Sequence, residues 1–358
     1  MALPFLNSGA KKKRDQMLAI DLGGRTTKAI HVQRKGEGLA LVRYAVLDAP
    51  IYEKSLSADL LSEHLKAVAQ ALDARTKVTS LAVGVNDAVV RHADLPLIPV
   101  GDLRQILKNN SKTYLQQDLP NHTFDCYFLA SRQTAKASDR AKSAPATPKQ
   151  KVLVAAAKRQ LVEDVQTAVK NAGLVADSIV PGLLGPLNAF ELALPEVFTK
   201  EVVALVDIGF KNSTICLLLQ GELIASRVVG IGGDRLTEGL AEALGIGYAE
   251  AEGIKVGMPQ EVQTNLEPLI TPLGRELRAL IDFFEHQQDR PVGRIFVSGG
   301  SARSDLILQL LQTELMAECK RWNPTSCLQL ALPPEQQAEI EQVAPQLAVA
   351  VGLAATGL

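Results

Sequence analysis

The sequence predicts an α/β fold of duplicated design, with a cleft between its two halves, and three observations carry that prediction. Met17 to Ile20 runs into Asp21-Leu22-Gly23-Gly24, after which Lys28 to Gln33, the pair Lys35-Gly36, and Leu39 to Leu47 follow. Val202 to Val206 runs into Asp207 and Gly209. Ile215 to Leu219 returns, and Gln220-Gly221 leads to a third run ending at Gly230, Gly232 and Gly233. Each reads as strand, turn, strand, turn, strand, and two copies of one pattern imply two units of one kind. Finally, 47% of the 358 residues are hydrophobic but only 4% aromatic, which points to aliphatic α/β cores in a chain long enough for two.

The remaining elements follow in order. Leu60, Leu61, His64, Leu65, Val68 and Leu72 recur at helical spacing, with His64 a packed or half-exposed member of the stripe. Val78 to Val85 and Ala88 to Ile98 read as strands around an Asn86-Asp87 turn. Pro96, Pro99 and Gly101 break the chain before an amphipathic helix through Leu103, Ile106, Leu107 and Tyr114. Strands at Thr123 to Ala130 and Val152 to Ala157 flank a segment, 131–150, that lacks large apolar residues and is expected to be a disordered loop. Leu161, Val162, Val165, Ala168 and Val169 form another stripe, closed by Gly173. A short helix around Leu187 to Leu192 precedes the second half. There, helices are expected at Asp234 to Leu244, Tyr248 to Val256 and Leu266 to Gln287, then a strand at Arg294 to Val297 entering Ser298-Gly299-Gly300-Ser301 and a helix through Leu306, Ile307, Leu310 and Leu311.

A net charge of −1 gives no general attraction to nucleic acid or anionic lipid. Cys126, Cys216, Cys319 and Cys327 show no metal-type spacing and read as buried free thiols of a reducing compartment. The basic run Lys11 to Arg14 is read as a solvated tail, with contact to a membrane surface as the alternative. The uncharged end, 343–358, is too short to span a bilayer and is expected to be a buried terminal helix.

An Asp-x-Gly turn between antiparallel strands aims backbone N–H groups at an anion, and its carboxylate can hold a hydrated divalent cation against phosphates. Asp21 and Asp207 would then face each other across the cleft. The glycine corners before helices, at Gly232-Gly233 and Gly299-Gly300, suit the same purpose.

The ordered set DLGGRTTK (21–28), DIGFKNST (207–214), GIGGDRLTEGLAEALGIGYAEAEGIK (230–255) and VSGGSAR (297–303) resembles the actin-like ATPase superfamily. Within it the chain is similar to the PilM family of type IV pilus assembly and to its relative FtsA, through segments 95–119, 124–130 and 152–190 as well. The resemblance begins near Met17 and implies a duplicated RNase-H-like core. Its parts would be a tail at 1–16, a first domain at 17–200 with a replacement subdomain at about 88–173, a second domain at 201–342, and a terminal helix at 343–358 packing back on the first. It implies ATP and Mg²⁺ in the cleft. Carried over by motif, Gly23, Gly24, Arg25, Thr26 and Lys28 would line the first phosphate turn, and Gly209, Lys211 and Ser213 the second. Gly232, Gly233 and Asp234 would approach phosphates and ribose, Glu252 and Lys255 would meet ribose or adenine, and Gly299, Gly300 and Arg303 would bracket the base. Asp21 and Asp207 would orient metal-bound water.

The first turn departs from the family's hydroxyl-rich pattern: Gly24 and Arg25 stand where a hydroxyl is usual, so Arg25 is read as a phosphate clamp or a solvent-facing side chain. The second turn keeps the pattern more fully. The resemblance implies a cytoplasmic scaffold recruited to the inner membrane by the N-terminal cytoplasmic peptide of a PilN-like protein, in contact with other pilus components, at most a slow ATPase, and open to homo-oligomerisation. A small-metabolite kinase with Asp207 as base, and a scaffold that binds no nucleotide, are the alternatives.

Overall fold

Short aliphatic runs build three sheets. The computed structural model describes residues 1, 14–51, 57–129 and 149–358, so Lys11 to Lys13 and nearly all of the expected loop lie outside the described residues. β1 (Gln16–Leu22), β2 (Thr26–Lys35) and β3 (Gly38–Asp48) form an antiparallel meander. α1 (Ala58–Leu72) begins at Ser57, whose hydroxyl accepts the Leu60 N–H. β4 (Val78–Val83) then runs parallel to β1. β5 (Ala88–Pro96), α2 (Val100–Leu115), β6 (His122–Phe128) and β7 (Lys149–Lys158) make a separate sheet of order β5-β7-β6 covered by α2. α3 (Arg159–Asn171) and β8 (Val175–Pro181) return to the first sheet, and α4 (Leu184–Ala193) and α5 (Pro195–Lys200) lead out of it.

The second half repeats the plan. β9 (Val202–Ile208), β10 (Ser213–Leu219) and β11 (Glu222–Val229) form a meander, and α6 (Gly233–Leu244), α7 (Tyr248–Gly257) and α8 (Gln263–Gln288) follow. β12 (Arg294–Ser298) lies parallel to β9, and after α9 (Asp305–Leu315), β13 (Cys319–Arg321) lies parallel to β12. The orders β3-β2-β1-β4-β8 and β11-β10-β9-β12-β13 are therefore one topology written twice. The chain then crosses back: β14 (Gln329–Leu330) pairs with β3, and α10 (Pro334–Val343) and α11 (Ala348–Gly357) complete the first half. Gln336 on α10 bonds both main-chain groups of Tyr44, accepting its N–H at 3.2 Å and donating to its carbonyl at 2.8 Å. The expected span 201–342 thus includes residues that lie against the first sheet.

β7 is buried on both sides. Leu153, Ala155 and Ala157 enter the first half's core, whereas Val152, Val154 and Ala156 join Leu95, Leu103, Leu107 and Phe124 in the small sheet's own core. α3, inside the expected span 88–173, buries Val162, Val165, Ala168 and Val169 in the first core. Between the halves, Phe190 of α4 meets Phe296 edge-on at 4.9 Å and Trp322 at 5.2 Å. α11 crosses α4 so closely that a Cβ on Gly352 would overlap the carbonyl of Gly185. Three cysteines are buried and Cys327 half-buried, all free, with burial pushing their thiols up to about 11 or 12.

Candidate functional site

Turns of equal length close the two meanders. Gly23-Gly24-Arg25-Thr26 joins the paired residues Leu22 and Thr27, and Gly209-Phe210-Lys211-Asn212 joins Ile208 and Ser213. Register then makes positions correspond. Lys28 lies opposite Asp21, and Thr214 opposite Asp207; on the parallel side, Ala82 lies beside Asp21 and Ser298 beside Asp207.

Lys28 Nζ stands 3.6 Å from Asp21 Oδ2, both side chains mostly covered. Burial holds the Asp21 carboxyl above its ordinary value, with Lys28 opposing. Ser298 Oγ donates to Asp207 Oδ1 at 2.8 Å. Burial pushes Asp207 up to about 6; Ser298 opposes the rise, Asp21's charge adds to it, and Lys28 also opposes. Asp207 thus feels the charge of Asp21 across the cleft, and a cation beside it would relieve that repulsion. Among the described residues, no group of three or more His, Cys, Asp or Glu could hold a metal ion.

The glycine corners converge beside these carboxylates. The N–H groups of Gly233 and Asp234, at the start of α6, donate to the carbonyls of Gly209 and Phe210 at 2.9 and 2.8 Å, stitching the second turn to that helix. Gly232 is the cap residue of the helix. Gly299, at φ +94°, passes so near Ile208 that a Cβ would overlap its carbonyl; Gly300 opens a short 3-10 turn, Gly300–Arg303. Ser301 in that turn lies against Gly233. Arg303 ends the turn exposed, with no ion pair among the described residues.

Several expected contacts take another form. Ser213 is buried and donates to the Ile231 carbonyl at 2.6 Å, so its proton is already committed. Lys255 is buried, donating to the Gly233 carbonyl at 3.0 Å, to Thr237 Oγ1 at 2.6 Å and to Glu252 Oε2 at 2.6 Å. Burial lowers its pKa. Burial raises Glu252, but Lys255 and Thr237 outweigh it and hold that carboxyl below its ordinary value. Asp234 accepts from Tyr248 Oη at 2.6 Å; burial, this bond and the charge on Asp234 push the phenol up to about 12.

Arg25 is exposed, but it does not point only into solvent: it reaches across the cleft. Its Nη1 lies 2.8 Å from Glu252 Oε1, and its guanidinium sits 5.6 Å from the centre of the Phe210 ring. Beneath that ring lies Gly24, where a Cβ would touch Phe210 and Lys211 at 3.8 Å. Asn86 Nδ2 donates to Asn212 Oδ1 at 3.1 Å, a further link between the halves at the turns. Thr26 is half-buried in the first turn, and Lys211 is exposed in the second.

Sequence reasoning gave no role to Phe210, Ser298 or Thr237. An aromatic inside a glycine turn is a signal in a chain with so few. Ser298 stands at a strand end next to the glycine pair, and Thr237 lies one helical turn into α6.

A family model described as type IV pilus assembly protein PilM matches residues 19–357. The solved structure of a PilM–PilN type IV pilus biogenesis complex superposes with a TM-score of 0.79 at 22% identity, covering 96% of this chain and 99% of that one. MreB 5 of Spiroplasma citri bound to AMPPNP superposes at 0.50 and 10% identity, covering 95% of each. The cell division protein FtsA of Bacillus subtilis (strain 168) is 31% identical over 97 residues, 27% of this chain and 21% of FtsA. The match thus spans about a fifth of that relative's length. At these identities the solved structures establish the actin-like ATPase fold. Among the described residues, no helix is long and apolar enough to cross a membrane.

Proposed function

The chain belongs to the type IV pilus assembly protein PilM family, and from that premise we propose that it is an assembly scaffold whose cleft takes Mg²⁺ and ATP and whose surface takes the N-terminal cytoplasmic peptide of a PilN-like membrane protein. The observation that carries the nucleotide part is the pair of equal turns bringing Asp21, Lys28 and Asp207 to one place. Lys28 would meet phosphate, and the two carboxylates would hold a hydrated Mg²⁺ that supplies charge neutralisation for those phosphates. Gly299 to Ser301 would border the base, and Glu252 and Lys255 the ribose. The MreB 5 structure, with AMPPNP in a protein of this fold, supports a nucleotide in this cleft; the PilM–PilN complex supports the partner. Recruitment by such a peptide would bring the chain to the inner membrane from the cytoplasmic side, and hydrolysis would be slow at most.

Calorimetric titration of the full chain with Mg·ATP is expected to show saturable binding that Asp21→Ala abolishes, and a flat titration of the parent would overturn the nucleotide reading. Fluorescence anisotropy with a labelled PilN-like N-terminal peptide tests the partner, and absence of binding both with and without ATP would overturn it. A scaffold that holds no nucleotide is the second reading, favoured by the contacts that tie the turns together across the cleft. The same titration decides between them.

A further inference from the structure

Lys211 occupies in the second turn the place Arg25 occupies in the first, yet only Arg25 spans the cleft. Lys211 is exposed and makes no ion pair among the described residues. Arg25 reaches two groups of the opposite half, the Glu252 carboxylate at 2.8 Å and the Phe210 ring at 5.6 Å. Glu252 is held from both sides, with Oε1 toward Arg25 and Oε2 toward Lys255 of its own half. If Arg25 leaves, Glu252 therefore keeps a cation, and no charge is stranded.

We propose that Arg25 is a latch between the halves, closed on Glu252 and Phe210 when the cleft holds no anion and exchanged onto a phosphate group when one enters. The exchange half of this rests on the nucleotide reading above; the closure half does not. A guanidinium offers one donor fork that suits carboxylate and phosphate alike. The Arg25 side chain is 43% exposed and that of Glu252 20%. A pair so placed shifts a two-state equilibrium only about two- to five-fold, strong enough to bias closure and weak enough for a ligand to displace. Phe210, in the second turn, presents its ring to the guanidinium 5.6 Å away.

Spin labels on unnatural residues replacing Ala67 of α1 and Asp282 of α8 report the distance between the halves. In the ligand-free chain, Arg25→Ser is expected to lower the closed population about two- to five-fold, lengthening and broadening the distribution. Glu252→Gln, which leaves the Phe210 contact in place, should do so to a smaller extent, and the double variant should open no further than Arg25→Ser alone, because Arg25→Ser already removes the interaction with Glu252. Distributions that match the parent in both single variants, or effects that add, would overturn the latch. Mg·ATP added to both should erase the difference between the parent and Arg25→Ser, because Arg25 has then left Glu252 in the parent, and inorganic phosphate at equal concentration shows whether the phosphate alone suffices; a difference that persists with Mg·ATP bound would overturn the exchange. A parent that binds no Mg·ATP while Arg25→Ser still opens the cleft would keep the latch and overturn the exchange.

Discussion

The two cleft turns share strand order, register and length, but they hold their carboxylates by different means. Asp21 has a lysine directly across the ladder and an alanine beside it on the parallel strand. Asp207 has a threonine across and a serine beside. One carboxylate is therefore faced by a cation and the other by a hydroxyl, and the second, also exposed to the charge of the first, is the one pushed up to about 6. The next hydroxyls inward, Thr27 and Ser213, are likewise equivalent by register, and each is spent within its own half, on His64 of α1 and on Ile231 before α6. Main-chain pairing and apolar alternation fix the path of a meander, so duplication preserves it. Polar side chains at strand ends are under no such constraint, and they set the charge of each jaw separately. A second contrast lies in completeness: the second half is built from contiguous chain, while the first is closed by β14, α10 and α11 from the far end.

That second contrast predicts the largest effect. Gly352→Ala drives a Cβ into the Gly185 backbone, which cannot move aside as a flexible side chain would. A loss of about 3–5 kcal/mol is expected, read by urea unfolding, with amide exchange rising in β1 and β4 before β9 and β12. A change below about 1 kcal/mol, or equal loosening of both sheets, would show that α11 does not complete the first half.

The charge contrast predicts less. A buried carboxyl with a raised pKa carries no ionisation penalty below its unfolded value of 3.8, acquires the penalty as pH rises from there to the folded value, here about 6, and carries it in full above. Asp207→Asn removes that penalty, so the variant should be more stable than the parent by about 1–2 kcal/mol at pH 7.5, a difference that disappears as pH falls to about 3. Asp21→Asn should gain less, because Lys28 already offsets the cost of the charge. The reverse order would break the comparison. Smallest is the hydroxyl itself: Ser298→Ala should raise Asp207 further and cost about 0.5–1 kcal/mol near pH 8, whereas Ala82→Ser in the other half should lower Asp21. Carboxyl NMR titrations read both, and unmoved midpoints would remove Ser298 from the account.

The duplicated design was legible in the sequence because Asp-x-Gly turns between aliphatic runs are local signals, and the strand and helix expectations around them hold to within a few residues. β8 was not foreseen, since its centre is Asp177-Ser178. Those polar groups are tolerated only because Arg14 lies 2.5 Å from Asp177 and Ser80 bonds Ser178 at 2.6 Å, partners that come from elsewhere in the chain. β14, two residues long, has no periodicity to read. At the cleft, the carboxylates and glycine corners announce themselves by spacing. The partners of Arg25 do not, because Phe210 and Glu252 lie far along the chain and neither residue's neighbours name the arginine. Sequence marks the groups a turn presents; it is silent on whether an opposing jaw has already engaged them.

The return of the chain end also sets an order of events at the ribosome. Most of the first half is made first, yet α11, which packs on α4, is translated only after the whole of the second half. Throughout synthesis of the second half, the apolar face of α4 has no α11 to lie against. The half made later, contiguous from Val202 to Arg321, is therefore the one that can finish burying its core first, and the half made earlier waits for α11.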